Sequence, residues 1–140
     1  MWIFYAFLSA IFAALVAIFG KLGLKNIDST LATTIRAIIM ATFLFLVSLG
    51  LGKFNNFHFT NLNNKDWILI TLSGVAGAVS WIFYFLALKY GFAGKVAAID
   101  RLSIIFVIIL AALFLGEGFG WKVALGSALM ASGAILITLK

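Results

Sequence analysis

The sequence predicts an all-α membrane protein built from five transmembrane helices. Three observations carry this. Hydrophobic residues make up 65% of the 140, with a mean hydropathy of +1.22, whereas a soluble domain of this size is closer to half apolar. The apolar residues fall in runs of about 20, the length that crosses ~30 Å of hydrocarbon at 1.5 Å per residue. Those runs are unbroken rather than alternating, which selects helices over a closed barrel, the two forms that satisfy their own backbone in lipid.

The first span is Trp2–Gly20. It lacks a basic leading segment and is too long for a signal peptide, so it reads as an uncleaved helix. Its Ala10, Ala13, Ala14 and Ala17 suit tight packing within the subunit. The second span, Thr30–Leu51, follows Asp28 and Ser29, which read as an N-cap where an acid suits the helix dipole. The third, Trp67–Lys89, follows the longest connection, Gly52–Lys65, which is Asn-rich and carries Phe54, Phe57 and Phe59. That loop is expected on the headgroup surface. The fourth span is Val96–Leu115, and Glu117 follows it in a Gly-Glu-Gly turn. The fifth, Trp121–Leu139, carries no charge between Lys122 and Lys140. Its small residues Ala124, Ala128 and Ser132, with Gly126 and Gly133 seven apart, permit close helix approach in lipid. The fifth helix is therefore expected to be an assembly surface, with Gly126, Gly133 and Ala128 at the interface.

An odd number of spans puts the termini on opposite sides. Trp2, Trp67 and Trp121 each begin a helix on the N-terminal side, as an interfacial aromatic belt does. That side carries Lys53, Lys65 and Lys122, against Lys21, Lys25, Lys89, Lys95 and Lys140 on the other. The bias makes the C-terminal side cytoplasmic, yet five lysines against three is small enough to suit a chain inserting both ways.

Charge inside these spans is informative because it costs roughly 2.5–3.5 kcal/mol per residue at a helix centre. Asp100 and Arg101 lie about 6–8 Å from the C-terminal-side end of the fourth span, and Arg36 about 9 Å into the second. Trp81 and Tyr84 lie about 12 and 8 Å from the same side in the third. A cationic, anionic and aromatic layer at one depth is suited to a small organic solute, through pairing and cation–π contact. A structural reading is also open: Arg36 and Asp100 could form an ion pair or reach to the surface. Adjacent helix positions point ~100° apart, so Asp100 and Arg101 cannot both face one cavity squarely. Trp81 and Tyr84, three apart, share a face.

Several functions are disfavoured. The net charge of +6 is scattered at helix ends and suits anionic headgroups, so the expected partner is the lipid bilayer and no nucleic acid. With no cysteine there is no disulfide, thiolate or cysteine metal site. His58 stands alone in a polar loop. No catalytic set or phosphate loop is present, so neither an enzyme nor a cofactor or metal is expected.

The run Ser80-Trp81-Ile82-Phe83-Tyr84-Phe85, then Ala87-Leu88, Lys95-Val96-Ala97-Ala98-Ile99-Asp100-Arg101-Leu102-Ser103 and Leu113-Phe114-Leu115-Gly116-Glu117, closely resembles the EamA-type branch of the drug/metabolite transporter superfamily. Asp28-Ser29-Thr30-Leu31-Ala32-Thr33 and Arg36 look like its short members. The resemblance covers the whole chain as one five-helix repeat, where larger members carry two in inverted orientation. It implies a central cavity lined by the third and fourth helices, at Trp81, Tyr84, Asp100 and Arg101, and a last helix at the dimer interface. Ala98 stands where short members often carry proline, so no proline kinks the fourth helix here. The expected function is a subunit of a small-solute transporter, an exporter of metabolites, amino acids or organic cations by alternating access. It would sit in the cell membrane as a dimer of two copies, or of one copy and a homologue, with an antiparallel homodimer favoured and proton exchange at Asp100. The alternative is a lipid-handling or scaffold subunit that moves no solute.

Overall fold

The computed structural model describes residues 1–55, 62–118 and 120–139. The expectations for Phe57, His58, Phe59 and Lys140 lie outside the described residues. Helices α1 (Trp2–Gly23), α2 (Ser29–Gly50), α3 (Asn64–Tyr90), α4 (Ala93–Asp100), α5 (Ser103–Leu110) and α6 (Trp121–Thr138) account for the fold, with a π-helical turn at Ala111–Leu115. There is no strand among the described residues. Five stretches are long and apolar enough to cross a membrane, the fourth being Ala93–Leu115 taken as a whole. The protein is an all-α membrane protein, as expected.

The helix ends differ from the expected spans where capping chemistry decides them. Asp28 caps α2: its carboxylate accepts from the Thr30 amide at 2.9 Å and the Leu31 amide at 3.1 Å, filling two of the donors a helix start leaves unpaired. At the other end Gly52, at φ +63°, adopts the left-handed conformation that closes a helix. The Gly52 amide donates to Leu49 O at 2.9 Å and the Lys53 amide to Ser48 O at 3.0 Å, the paired bonds of a Schellman stop. α3 starts three residues before Trp67 because Asn63 and Asp66 cap each other. The Asp66 amide donates to Asn63 Oδ1 at 2.9 Å, and the Asn63 amide to Asp66 Oδ2 at 3.2 Å, a reciprocal box with Asp at the third position. At 27 residues α3 is about 40 Å long, so its ends pass beyond the hydrocarbon.

The fourth span is interrupted, although no proline occurs in the chain. Around Arg101 and Leu102 the ladder tightens to three-residue spacing: the Leu102 amide bonds Ile99 O at 2.9 Å, Ile104 bonds Arg101 O at 3.2 Å and Ile105 bonds Leu102 O at 3.0 Å. It then widens at Ala111–Leu115 and stops at Gly116, φ +67°. Both departures keep amides bonded, which is what a chain in lipid requires.

The chain forms two compact units. In the first, Met1–Lys21 with Tyr90–Lys140, α4 packs on α6. Lys95 of α4 donates to the Thr138 carbonyl at 3.0 Å, completing the C-terminal end of α6, where a cation suits the dipole. Lys21 donates to Gly91 O at 2.8 Å. Of the four alanines of α1, Ala17 is buried and Ala13 half-buried, while Ala10 and Ala14 are exposed. The second unit, Leu22–Lys89, holds α2 and α3. Among its described residues, the buried ones are Leu24, Ser29, Thr33, Phe85 and Leu88. The hydroxyls of Thr33, Thr34 and Thr42 donate to the carbonyls of Ser29, Thr30 and Ile38 in their own helix, so none needs water.

The Leu31 amide above all, with that of Thr30 and the charge of Lys89, holds the exposed Asp28 carboxyl below its ordinary 3.8. A depressed carboxylate pKa stabilises the fold above the unfolded-state value, and that contribution is lost as pH falls through the folded one. Thermal unfolding in detergent should therefore weaken below about pH 4. Asp28→Asn, which caps equally well without titrating, should remove that part of the acid dependence. An unchanged acid limb in the variant would assign it to other carboxylates.

Candidate functional site

The site begins with a stripe on α3. Gly74, Gly77, Ala78, Trp81, Phe85 and Leu88 recur at helical three- and four-residue spacing and so share a face. At one end the stripe is bulky: Leu88 is fully buried and Phe85 nearly so. At the other it is two glycines and an alanine. On α2 the matching face is Thr33, Arg36, Ala37, Met40, Ala41 and Leu44. Where small residues face each other the helices leave a cavity of about 480 Å³, lined by these α2 residues with Ser73, Gly74, Gly77, Ala78, Trp81 and Ile82 of α3 among them. That volume falls within the range of small-molecule sites, about 300–1,000 Å³.

Arg36 lies at the aromatic end of this cavity. Its guanidinium carbon stands 3.6 Å from the centroid of the Trp81 ring and 5.2 Å from that of Phe85. The indole is the strongest aromatic partner for a cation, and desolvation makes the contact stronger. Trp81 is in turn held by Tyr84, edge-on at 5.6 Å, and by Phe85 at 5.7 Å. Arg36, Trp81 and Tyr84 are all half-buried. The structure thus brings three of the five expected binding residues together. Arg36 has no hydrogen-bond acceptor or ion-pair partner among the described residues; its neighbour is an aromatic face.

Asp100 and Arg101 belong to the other unit. Asp100 ends α4 and Arg101 stands in the turn that interrupts the fourth span, both exposed. Within that unit neither side chain has a hydrogen-bond or ion-pair partner among the described residues.

On α6, Gly126 and Gly133 share a face, and a Cβ added at either would meet nothing within 4 Å. Ala128, two residues from Gly126, lies about 160° around the helix on a different face. All three are exposed. The inward face is instead Ala124, Ser127, Ala131, Ala134 and Thr138, buried or half-buried.

Sequence reasoning missed the cavity wall. Thr33, Thr34, Ser73, Gly74, Gly77 and Ala78 are polar or small and individually unremarkable. The available signal was spacing: stepping back from Trp81 by four and seven residues reaches Gly77 and Gly74, so the one deep tryptophan ends a stripe without bulk.

If the stacked arginine holds Trp81 in place, Trp81→Leu should destabilise the protein by about 0.5–2 kcal/mol, the range of a partly desolvated cation–π contact. Unfolding in mixed micelles measures this. A loss no larger than that of Trp67→Leu, at the interface, would mean the stacking contributes nothing.

Residues 1–139 match the family model described as the EamA-like transporter family. The chain is also similar to a Sinorhizobium sp protein named an uncharacterized transporter in cobO 3'region. The two are 40% identical over 136 residues, covering 97% of this chain and 95% of that protein. No solved structure matches the chain.

Proposed function

Because the chain belongs to the EamA-like transporter family, and is a membrane transporter, we propose that it moves a small organic solute through the Arg36–Trp81 cavity by alternating access. The direction is export from the cell, and the solute is a metabolite, an amino acid or an organic cation. The observation that carries this reading is the cavity of about 480 Å³ with a charged group stacked on an indole at one end. A purely structural arginine would not need open space in front of it, and glycine at Gly74 and Gly77 keeps that space open.

The five helices act as one repeat and the working unit is a homodimer in the cell membrane. A single repeat offers too few helices to gate both ends of a pathway, and two-repeat transporters solve this with a second, inverted copy. Gly126 and Gly133, with nothing against them inside the subunit, supply the face where close approach is possible in lipid. The modest lysine asymmetry lets the copies be antiparallel. Asp100, the lone carboxylate inside an apolar span, carries the coupling proton.

Reconstitution in proteoliposomes with a solute screen tests the function. Solute-dependent flux is expected, with strong loss in Asp100→Asn at unchanged expression. Wild-type flux with unchanged pH dependence in that variant would end the coupling role. No flux for any solute, with a correctly assembled protein, would favour a lipid-handling or scaffold subunit.

Gly133→Leu should dissociate the dimer in detergent without unfolding the monomer, as read by mass measurement. A persisting dimer would move the interface to another helix. Single cysteines in the Lys53 loop and at Lys140 should each label from outside in part of the population. Full labelling of one site and none of the other would make the dimer parallel.

A further inference from the structure

We infer that the cavity between α2 and α3 selects an organic anion: a solute with a carboxylate or similar oxyanion beside an apolar or aromatic body. This deepens the transport reading by narrowing its solute classes to those that carry an oxyanion, leaving out the organic cation, and rests on it only in taking the occupant to be a dissolved solute. Arg36 is the one ionisable side chain lining the cavity among the described residues. No aspartate or glutamate faces it there. A charge in a low-dielectric site is tolerated when something pairs with it, and the aromatic face meets only part of that need.

The geometry leaves the rest of the guanidinium available. Stacking at 3.6 Å uses the face of the group. Its five N–H donors lie in its plane and point outward from its edge. With no protein acceptor among the described residues, they are free for a planar oxyanion, which guanidinium binds with two parallel hydrogen bonds. The hydroxyls cannot compete as acceptors of choice. Thr33 and Thr34 donate their hydrogens to their own helix, and their oxygens, like that of Ser73, are neutral acceptors, weaker partners for a guanidinium than a carboxylate. The rest of the wall is Ala37, Met40, Ala41, Leu44, Ala78 and Ile82 with two glycines, which suits an apolar body. An organic cation would meet the Arg36 charge and find its best aromatic face, Trp81, already covered by Arg36.

Three solutes of one shape separate the classes: phenylacetate, phenethyl alcohol and phenethylamine. The protein is reconstituted in phosphatidylcholine with Trp81 as its sole tryptophan, the other three being replaced by phenylalanine. Trp81 emission reads binding and the same vesicles read flux. Phenylacetate is expected to bind about tenfold or more tightly than the amine or the alcohol, the discrimination that charge-assisted hydrogen bonds give. Arg36→Gln should erase that preference. Ala78→Asp, which places a carboxylate in the cavity wall, should reverse it toward the amine, and stands as the second variant should Arg36→Gln fail to assemble. Equal or tighter binding of phenethylamine, no binding of phenylacetate, or a preference that survives Arg36→Gln would each overturn the inference. Selective binding of phenylacetate, with no flux of it or of any solute in the screen, would support the anion site and sink the transport reading. Flux that favours the amine would do the reverse. Adding phosphatidylglycerol to the vesicles distinguishes the source of the oxyanion: a solute site keeps its affinity for phenylacetate. A site for lipid headgroups loses that affinity, which would overturn the dissolved solute as occupant.

Discussion

A chain in hydrocarbon has no water to complete its hydrogen bonds, so every polar group inside the span must find its partner within the protein. That constraint explains the helix ends as much as the helices. Asp28 supplies acceptors at the start of α2, Gly52 turns its last carbonyls back on the chain, and Asn63 and Asp66 cap each other before α3. Lys95 completes the end of α6 from a neighbouring helix. Threonine hydroxyls turn inward on their own backbone. Even the irregular fourth span keeps bonding through its tight and wide turns.

Arg36, like Asp100 and Arg101 of the other unit, departs from this economy among the described residues, and it alone of the three lines a cavity. Its charge is met by the face of Trp81, and its hydrogen-bonding edge is left open toward a cavity. The stripe on α3 explains how both arise from one helix face. Bulk at Phe85 and Leu88 closes the contact, and the loss of bulk at Ala78, Gly77 and Gly74 opens it about two and three turns away. The same stripe is a packing surface at one end and a cavity wall at the other.

The two irregularities of the fourth span have a different origin from the kink that proline makes. Arg101 and Leu102 take the tighter turn with ordinary helical φ and a shallow ψ, near −15°. Asp100 and Arg101 mark the place, so the polar pair and the break coincide in sequence. Both side chains are exposed within their unit, where the helix departs from its regular ladder.

How much was legible from the residues alone follows from the range of the interactions involved. Five apolar runs in a dry solvent can only be helices, so the fold class, the number of spans and the Asp28 cap were determined by the sequence itself. These depend on composition and on neighbours three or four residues apart. The depth argument also put Arg36, Trp81 and Tyr84 at one level, where the structure brings them together, because helical rise is constant. The interruption at Arg101 was not legible, since no proline announces it and the choice between three- and four-residue bonding is a matter of small energies. Tertiary structure alone decided that Arg36 meets an indole and that the wall beside it is Gly74, Gly77 and Ala78. Those outcomes depend on which faces of two helices meet and how closely, and a one-dimensional pattern carries the faces but not the meeting.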